Sequence, residues 1–406
     1  MRGRGTNSAV IREEEMNEHL REGIKRSVEA NFEELKAIKK YLYDNPEVGG
    51  EEEKSSRVLI DFLRKNGFEV TEDFHNIPWC FRAAYDSGRP GVSVGMTAEY
   101  DALPEIGHGC GHNIIATAPC GAAVALKAAV DELGGKVVLY GTPAEECFVR
   151  KCDLAREGAF DEIDFCLNIH PLGRNLKSGV TTALDAWQVD FYGRSSHAGV
   201  SPEKGINALD AAVHFYEMIG FEKQYLKDTN IYGVFVDGGV KCSVIPDHAA
   251  VKYLVRAPRV RDIRAIRDLF ERAAEACCKL IGTTYKIWNN EPGNMDVVTN
   301  YTLAKVFEDI YADLSGKPME DGEFGGSTDV GDVSHCVPTI MPCVGLDCPD
   351  IAIHTAEFRE ATITEAGDNA MKWSAEAMAL TALRVMEDPE LLAAMRSEFE
   401  EAKKDF

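Results

Sequence analysis

Apolar residues near the start of the chain recur at intervals of three and four positions. Val28, Phe32, Leu35, Ile38 and Leu42 form such a stripe, which is the pattern of a helix with one face packed against a core. The helical spacing continues to about residue 65. The sequence therefore predicts a helix-rich N-terminal segment.

Short apolar runs alternate with a helical pattern in the next part of the chain. Residues 92–96, 137–140 and 165–169 are predicted strands, and residues 121–133 are a predicted helix that ends before a Gly-Gly pair. Strands that alternate with helices indicate a mostly parallel sheet. We therefore predict an α/β domain.

The pattern changes at about Ala183. The predicted elements are a strand at 187–192, a helix at 205–219, strands at 231–236 and 249–256, a helix at 262–281 and a strand at 284–288. The order β-α-β-β-α-β is that of a ferredoxin-like module. Helical spacing returns after residue 293, with a long helix at about 365–387 and an amphipathic one from residue 395. We predict one α/β domain of residues 1–182 and 294–406, interrupted by an inserted domain of residues 183–293.

Composition narrows the class of protein. The chain has 406 residues and a net charge of -23, which argues against nucleic acid or an anionic membrane as the partner. We expect no apolar stretch of membrane-spanning length, and the first residues lack the apolar core of a secretion signal. The 12 cysteines are scattered, unlike a disulfide framework. We expect a cytoplasmic protein with reduced thiols.

Side chains that bind metals follow the predicted strands of the α/β domain. In open α/β sheets, sites lie beyond the carboxyl ends of the strands, so residues that follow different strands are expected to meet. Thiolate, imidazole and carboxylate are the ligands that zinc and similar ions prefer. The sequence predicts a site for two metal ions, with Cys110 as the natural bridge and five ligands: Cys110, His112, Glu146, His170 and His354.

Two adjacent acids follow the strand at 137–140. Neighbouring side chains on an extended chain point in opposite directions, so Glu145 and Glu146 are not expected to grip one ion together. A bound metal lowers the pKa of a water towards about 7, and a nearby carboxylate can move its proton to a leaving nitrogen. We therefore assign Glu146 as the ligand and Glu145 as the general base. Asp101 is expected to hold an imidazole by a hydrogen bond.

Each of these residues has a plainer interpretation when it is taken alone. A single histidine on an apolar strand is more often a hydrogen-bonded core residue than a ligand, and paired glutamates usually lie in a solvated loop. Cys110 could instead be a covalent nucleophile with His112 as its base. A non-catalytic binding protein of the same fold is a third class, but such a protein has no use for Glu145. The joint arrangement favours the metal site.

The inserted domain contributes two further candidates. His197 follows a strand in a polar turn, where an imidazole can stabilise an oxyanion. Arg256 ends another strand, where its guanidinium can clamp a carboxylate. A surface turn and a surface salt bridge are the respective alternatives.

Five motifs together resemble a known family. They are residues 97–104 (TAEYDALP), 107–113 (GHGCGHN), 141–146 (GTPAEE), 170–171 (HP) and 327–334 (STDVGDVS). Their order and types are similar to the aminoacylase and carboxypeptidase G-like metallopeptidases. Within that family the chain most resembles the amidohydrolase branch of aminobenzoyl-glutamate hydrolases, β-alanyl-lysine-type dipeptidases and auxin-conjugate hydrolases. The resemblance covers nearly the whole chain from about Asn31.

The resemblance implies a two-metal catalytic domain with an inserted lid that usually forms a homodimer. It implies the same five metal ligands and Glu145 as the base. His197 matches a lid histidine that reaches the partner subunit's site, and Arg256 matches a lid arginine associated with the substrate carboxylate. Asn207 and Ser243 are further candidates for contact with the substrate.

Two positions depart from the family pattern. Ser243 stands where relatives carry an asparagine, and residues 147–151 (CFVRK) replace a glycine-rich run after the two glutamates. The second change predicts a bulkier and more basic pocket wall, suited to a different or more acidic substrate.

These observations predict a metal-dependent amidohydrolase. Its expected substrates are N-acyl or N-aroyl amino acids, or small dipeptides, with a free carboxylate, and a β-alanyl-lysine-type dipeptidase is the alternative. The ions are expected to be Zn²⁺ or Mn²⁺, with Co²⁺ and Ni²⁺ also compatible with these ligands.

Overall fold

The computed structural model describes residues 5–322 and 324–406, with side chains from Asn17 onward. The first four residues, which belong to the stretch predicted to lack a secretion signal, lie outside the described residues. The chain forms two compact units. The first comprises Met1–Val180, Val297–Phe324 and Asp332–Lys404, and the second comprises Thr181–Asp296, Gly325–Gly331 and Asp405–Phe406.

Helices and strands alternate through most of the chain. The helices are α1 (Gly5–Asp44), α2 (Glu53–Lys65), α3 (His112–Leu133), α4 (Arg150–Arg156), α5 (Ala208–Glu222), α6 (Val260–Ile281), α7 (Tyr301–Ser315), α8 (Val330–Ser334), α9 (Ala356–Ala361), α10 (Glu365–Glu387) and α11 (Pro389–Ala402). The strands are β1 (Glu69–Glu72), β2 (Phe81–Asp86), β3 (Ser93–Glu99), β4 (Lys136–Thr142), β5 (Phe165–Leu167), β6 (His170–Leu172), β7 (Ala183–Tyr192), β8 (Asn230–Asp237), β9 (His248–Ala257), β10 (Thr284–Asn294), β11 (Thr339–Ile340) and β12 (Cys343–Gly345).

The first unit is built on a six-stranded sheet with the order β1-β2-β4-β3-β5-β11. The strands β4, β3, β5 and β11 run parallel, whereas β1 and β2 form an antiparallel margin. The prediction of a mostly parallel α/β sheet is therefore confirmed. Because parallel strands end at the same edge, the loops after β3, β4 and β5 emerge together.

Helix α3 is the central helix of this unit and packs against α1 and α10. It begins nine residues before the predicted helix, at His112 instead of residue 121, and includes Pro119 in its interior. By length and composition α3 could cross a membrane, so the expectation that no stretch of the chain would reach that length was wrong. However, 89% of its most apolar window is buried inside the protein. Its apolar side chains therefore form part of the hydrophobic core.

The second unit is an antiparallel sheet of four strands with the order β10-β7-β9-β8. Helices α5 and α6 pack on this sheet, so the predicted ferredoxin-like order of elements is confirmed. Aromatic rings fill the space between helices and sheet, where Phe270 lies 5.0 Å from Trp187 and 5.5 Å from Phe215 between ring centroids. This unit therefore has its own core.

Strand β8 lies at one edge of the second unit's sheet. It pairs with β9 on one side, and no strand of the described residues pairs with its other side. Apolar side chains are nevertheless exposed along it, including Tyr232 and Val234. An exposed apolar edge strand is a surface on which another chain can pair.

Candidate active site

The turn between β3 and α3 aims two predicted ligands at one point. Gly111 lies between Cys110 and His112 with φ of 83°, a conformation that glycine adopts readily. A Cβ at this position would lie 2.9 Å from the Pro171 ring, so the turn also needs glycine for space. The Cys110 Sγ consequently lies 3.4 Å from Nε2 of His170, the first residue of β6.

Glu145 and Glu146 lie in a turn after β4. The premise that this chain is extended, which separated the two carboxylates, was wrong. Ala144 adopts the left-handed conformation with φ of 58°, and the carbonyl of Ala144 accepts hydrogen bonds from the backbone N–H groups of Phe148 and Val149, both at 2.9 Å. The compact turn lets both carboxylates face the same side.

His354 comes from the distant C-terminal part of the first unit. Residues 351–355 form irregular backbone that follows β12 and leads into α9. The backbone N–H of His354 donates to the Gly109 carbonyl at 2.8 Å. This bond ties the histidine to the Cys110 turn, and its Nε2 lies 3.3 Å from Oε1 of Glu146.

The structure brings all five predicted ligands and Glu145 together. Three overlapping sets each have candidate ligand atoms within 4.8 Å of one another: Cys110, His112 and His170; Cys110, Glu146 and His354; and His112, Glu145 and Glu146. Cys110, His112 and Glu146 each belong to two of these sets, so the bridging position of Cys110 stays a prediction.

The donor groups fit a divalent cation. Nε2 of His112 is buried and makes no hydrogen bond within residues 17–322 and 324–406, while carboxylate oxygens of Glu99 and Glu146 lie 3.6 and 3.9 Å away. A buried polar atom without a hydrogen-bond partner is costly unless something else binds it. Metal binding would satisfy this nitrogen.

Asp101 fixes the ring of His112. Its Oδ1 lies 2.9 Å from Nδ1 of His112, so the ring presents Nε2 to the cluster, as in carboxylate–histidine–metal arrangements. The expectation that Asp101 holds an imidazole is confirmed. The other oxygen, Oδ2, accepts a hydrogen bond from the backbone N–H of Glu146 at 2.9 Å. One carboxylate thus positions two predicted ligands.

Opposite charges set the protonation of these groups. Burial alone would raise the pKa of Glu146, but His354 and His112 outweigh it and lower that pKa. Burial would likewise raise the pKa of Asp101, and His112 lowers it. Burial lowers the pKa of His170 to about 4, because the opposing effect of Glu99 offsets it only in part. The carboxylates are held ionised and His170 neutral, which is the state in which each can bind a metal.

A buried ion pair beneath the ligands was not anticipated from the sequence. The Lys151 Nζ lies 2.9 Å from Oε1 of Glu99, and both side chains are almost fully buried. Residues 147–151 were expected to make the pocket wall more basic, and for Lys151 this was wrong, because its charge points inward to Glu99. A charged residue at the end of the otherwise buried strand β3 was the signal for Glu99.

The remaining predicted site residues lie in the second unit. His197 is exposed, and its Nδ1 accepts a hydrogen bond from the Gly199 N–H at 3.2 Å. Arg256 donates to the Ser327 hydroxyl at 3.1 Å. The Asn207 Oδ1 caps helix α5 by accepting from the Leu209 N–H at 3.0 Å, and the carbonyl of the exposed Ser243 accepts from the Ala198 N–H at 2.9 Å. Their predicted roles towards the substrate stay predictions.

Comparison with known proteins identifies the class. Residues 183–279 match the family model of a peptidase dimerisation domain. The chain is 33% identical over 387 residues to the Xaa-Arg dipeptidase of Mus musculus, covering 90% of this chain and 89% of that protein. It is 28% identical to one subunit of the p-aminobenzoyl-glutamate hydrolase of Escherichia coli K12, covering 92% of this chain and 94% of that subunit.

A solved structure shows the same fold. A dinuclear metal-binding peptidase of the M20 family from Bacillus subtilis superposes with a TM-score of 0.67 at 17% identity, covering 88% of this chain and 99% of that one. The fold and the relatives together define a metal-dependent hydrolase that acts on amide or peptide bonds. The chain belongs to the M20 peptidase family, in the amidohydrolase branch that its motifs predicted.

Proposed function

We propose that the protein hydrolyses the amide bond of a small N-acyl or N-aroyl amino acid whose amine side carries a free carboxylate. The observation that carries the proposal is the position of Glu145, which lies with His112 and Glu146 in one cluster of candidate ligands. A carboxylate so placed is within reach of a water that attacks a substrate carbonyl. The similarity to a hydrolase of p-aminobenzoyl-glutamate supports this substrate class.

We propose a role for each of the candidate site residues. Cys110, His112, Glu146, His170 and His354 would hold two divalent ions, for which we propose Zn²⁺ or Mn²⁺. When bound, such ions polarise the carbonyl and make water more acidic. Glu145 takes the proton of the attacking water and then donates it to the departing amine nitrogen. We propose that His197 stabilises the oxyanion and that Arg256 orients the substrate carboxylate.

A dipeptidase is the second candidate. The 33% identity to a Xaa-Arg dipeptidase along 90% of this chain favours it. A dipeptide offers the same scissile amide and the same free carboxylate as an N-acyl amino acid. The site residues would therefore have the same roles, and only the contacts to the acyl side would differ.

Hydrolysis by metal-loaded and chelator-stripped protein tests the proposal. We expect release of free amine from at least one member of a panel of N-acyl amino acids, N-aroyl amino acids and dipeptides, including Xaa-Arg and β-alanyl-lysine. Stripping should abolish the release, and Zn²⁺ or Mn²⁺ should restore it, because the candidate metal ligands lie next to the general base, Glu145. Activity that survives complete stripping would contradict the proposal. The preferred panel member separates the two candidates.

We also propose that the protein is a homodimer that pairs through β8. The match to a dimerisation domain supports this, as do the exposed apolar side chains on an edge strand. Val234 is 62% exposed on β8, so Val234→Lys should shift the protein to monomers in sedimentation-velocity experiments. Val200→Lys is the control, because Val200 is 77% exposed but lies outside β8. A wild-type monomer, or a dimer unchanged by Val234→Lys, would contradict the proposal.

A further inference from the structure

The loop between α1 and α2, residues 45–52, lies against two of the loops that carry the site. We call it the N-terminal loop. The Glu47 carbonyl accepts a hydrogen bond from the Ala102 N–H at 2.8 Å, and Val48 pairs with Ala102 as a parallel bridge. The N-terminal loop therefore braces the chain next to Asp101, the residue that orients His112.

The same loop also packs on the turn after β4. A Cβ placed on Gly49 would lie 3.1 Å from the Cα of Ala144 and 2.3 Å from the Cys147 Sγ. These distances leave no room for a side chain at Gly49. The N-terminal loop and the turn that carries Glu145 are thus in direct backbone contact.

Glu52 joins these two segments through its carboxylate. The residue is fully buried. Its Oε1 accepts a hydrogen bond from the Ala144 N–H at 2.7 Å, and its Oε2 accepts one from the Gly50 N–H at 2.7 Å. Both donors belong to residues with positive φ, 58° at Ala144 and 90° at Gly50. One carboxylate therefore holds two uncommon backbone conformations at once.

We propose that Glu52 is a positioning residue that places the general base. It fixes Ala144, and Glu145 is the next residue along the turn, so the direction of the Glu145 side chain depends on that anchor. Asp101 holds the neighbouring N–H of Glu146 and orients His112. The two buried carboxylates therefore have different roles. Glu52 positions the general base, and Asp101 positions the metal ligands His112 and Glu146. This inference rests on the proposed function of Glu145.

The substitution Glu52→Gln would disrupt the two hydrogen bonds that the Glu52 carboxylate accepts, although the two side chains are nearly equal in size. A carboxylate offers two acceptor oxygens, whereas an amide offers one acceptor and one donor group. The amide nitrogen would then face a backbone N–H, either that of Ala144 or that of Gly50. Burial and the nearby Asp101 raise the pKa of Glu52 to about 7, so the comparison is made at pH 8, where the wild-type carboxylate is ionised.

The test compares kcat, KM and metal content in the metal-loaded holoenzyme, on the best substrate of the panel. Glu52→Gln should lower kcat roughly 10- to 100-fold, since a displacement of about 1 Å at a catalytic group has an effect of that size. KM and metal content should stay within about twofold of wild type, because Asp101 still holds the ligands. Glu51→Gln is the matched control, because Glu51 is exposed one residue away and should change none of these values.

A double variant separates positioning from a general structural effect. In a Glu145→Gln background, Glu52→Gln should lower the residual kcat by less than about threefold, because a positioning residue loses its effect when the base is gone. An equal loss in both backgrounds, or a lower melting temperature with unchanged kcat, would overturn the inference. If Glu145→Gln itself retains full turnover, the proposed function has failed, whatever Glu52→Gln does.

Gly49→Ala is a second, uncharged way to move the turn. Its added methyl group would contact Ala144 and Cys147, and it should give the same lower kcat with metal retained. If neither Glu52→Gln nor Gly49→Ala yields folded protein, the N-terminal loop is required for folding and the positioning role is rejected.

Discussion

Glu145→Gln should lower kcat by roughly two to four orders of magnitude, the range expected when a general base is lost. The amide occupies the same space but cannot take a proton from water. Metal content should remain at the wild-type value, because the remaining candidate ligands, including Glu146, are unchanged. Steady-state kinetics and elemental analysis of the same preparation measure both quantities.

Glu146→Gln is the matched control for that experiment. Its carboxylate lies 3.3 Å from Nε2 of His354 and 3.9 Å from Nε2 of His112, so its loss should reduce both bound metal and activity. Loss of metal in Glu145→Gln to the same degree would place Glu145 among the ligands and remove it from the role of base.

Lys151→Met should destabilise the protein by about 3–5 kcal/mol, the typical effect of removing one partner of a buried ion pair. The variant leaves the carboxylate of Glu99, which is 2% exposed, without its ammonium partner at 2.9 Å. Burial raises the pKa of Glu99, and Lys151, with smaller contributions from His112 and His170, lowers it below its ordinary value, so the lysine contributes most to keeping this group charged. Chemical denaturation of the holoenzyme measures the change in the free energy of unfolding.

Arg150→Met is the control for this change in stability. Arg150 is the preceding residue, its side chain is 32% exposed, and it pairs with Asp153 near the surface, so its loss should cost less than about 1 kcal/mol. The double variant Lys151→Met/Glu99→Gln should recover part of the loss, because both charges are then removed. A Lys151→Met protein as stable as wild type would show that the pair does not support the fold.

Elements with a strong apolar period were predictable from the sequence. Helix α10 begins and ends at the predicted residues, 365 and 387, because a capping threonine at 364 precedes a long regular apolar stripe. Helix α3 was predicted to start too late. Proline is disfavoured in a helix interior, yet here a buried helix continues through Pro119. Strands β1 and β2 were missed. Strand β1 has only four residues, and none of them is fully buried. Its sequence therefore contains no apolar run that would predict a strand.

The candidate metal ligands were easier to predict from the sequence than the residues that position and stabilise them. Residue types alone indicated the five ligands, since thiol, imidazole and carboxylate side chains followed the predicted strands. Glu52 was not singled out, because a single acid in a segment with helical spacing has no distinctive pattern. Glu99 was not singled out either, although its charge at the end of a buried strand was a usable signal. Lys151 was placed in the pocket wall because nothing in residues 147–151 reveals which side chain turns inward. Contacts between segments that are distant in sequence determine where such side chains lie, and a local sequence pattern does not reveal those contacts.

The buried charges around His112 have a consequence for how the protein is handled. Glu99, Asp101 and Glu146 are acidic groups within one small volume, and Lys151 offsets part of their charge. Divalent ions at this cluster would relieve the remaining repulsion, so metal loading and folding stability are thermodynamically linked. Chelators in purification buffers would then lower the melting temperature together with the turnover. Thermal stability thus becomes a direct reading of how fully a preparation is loaded.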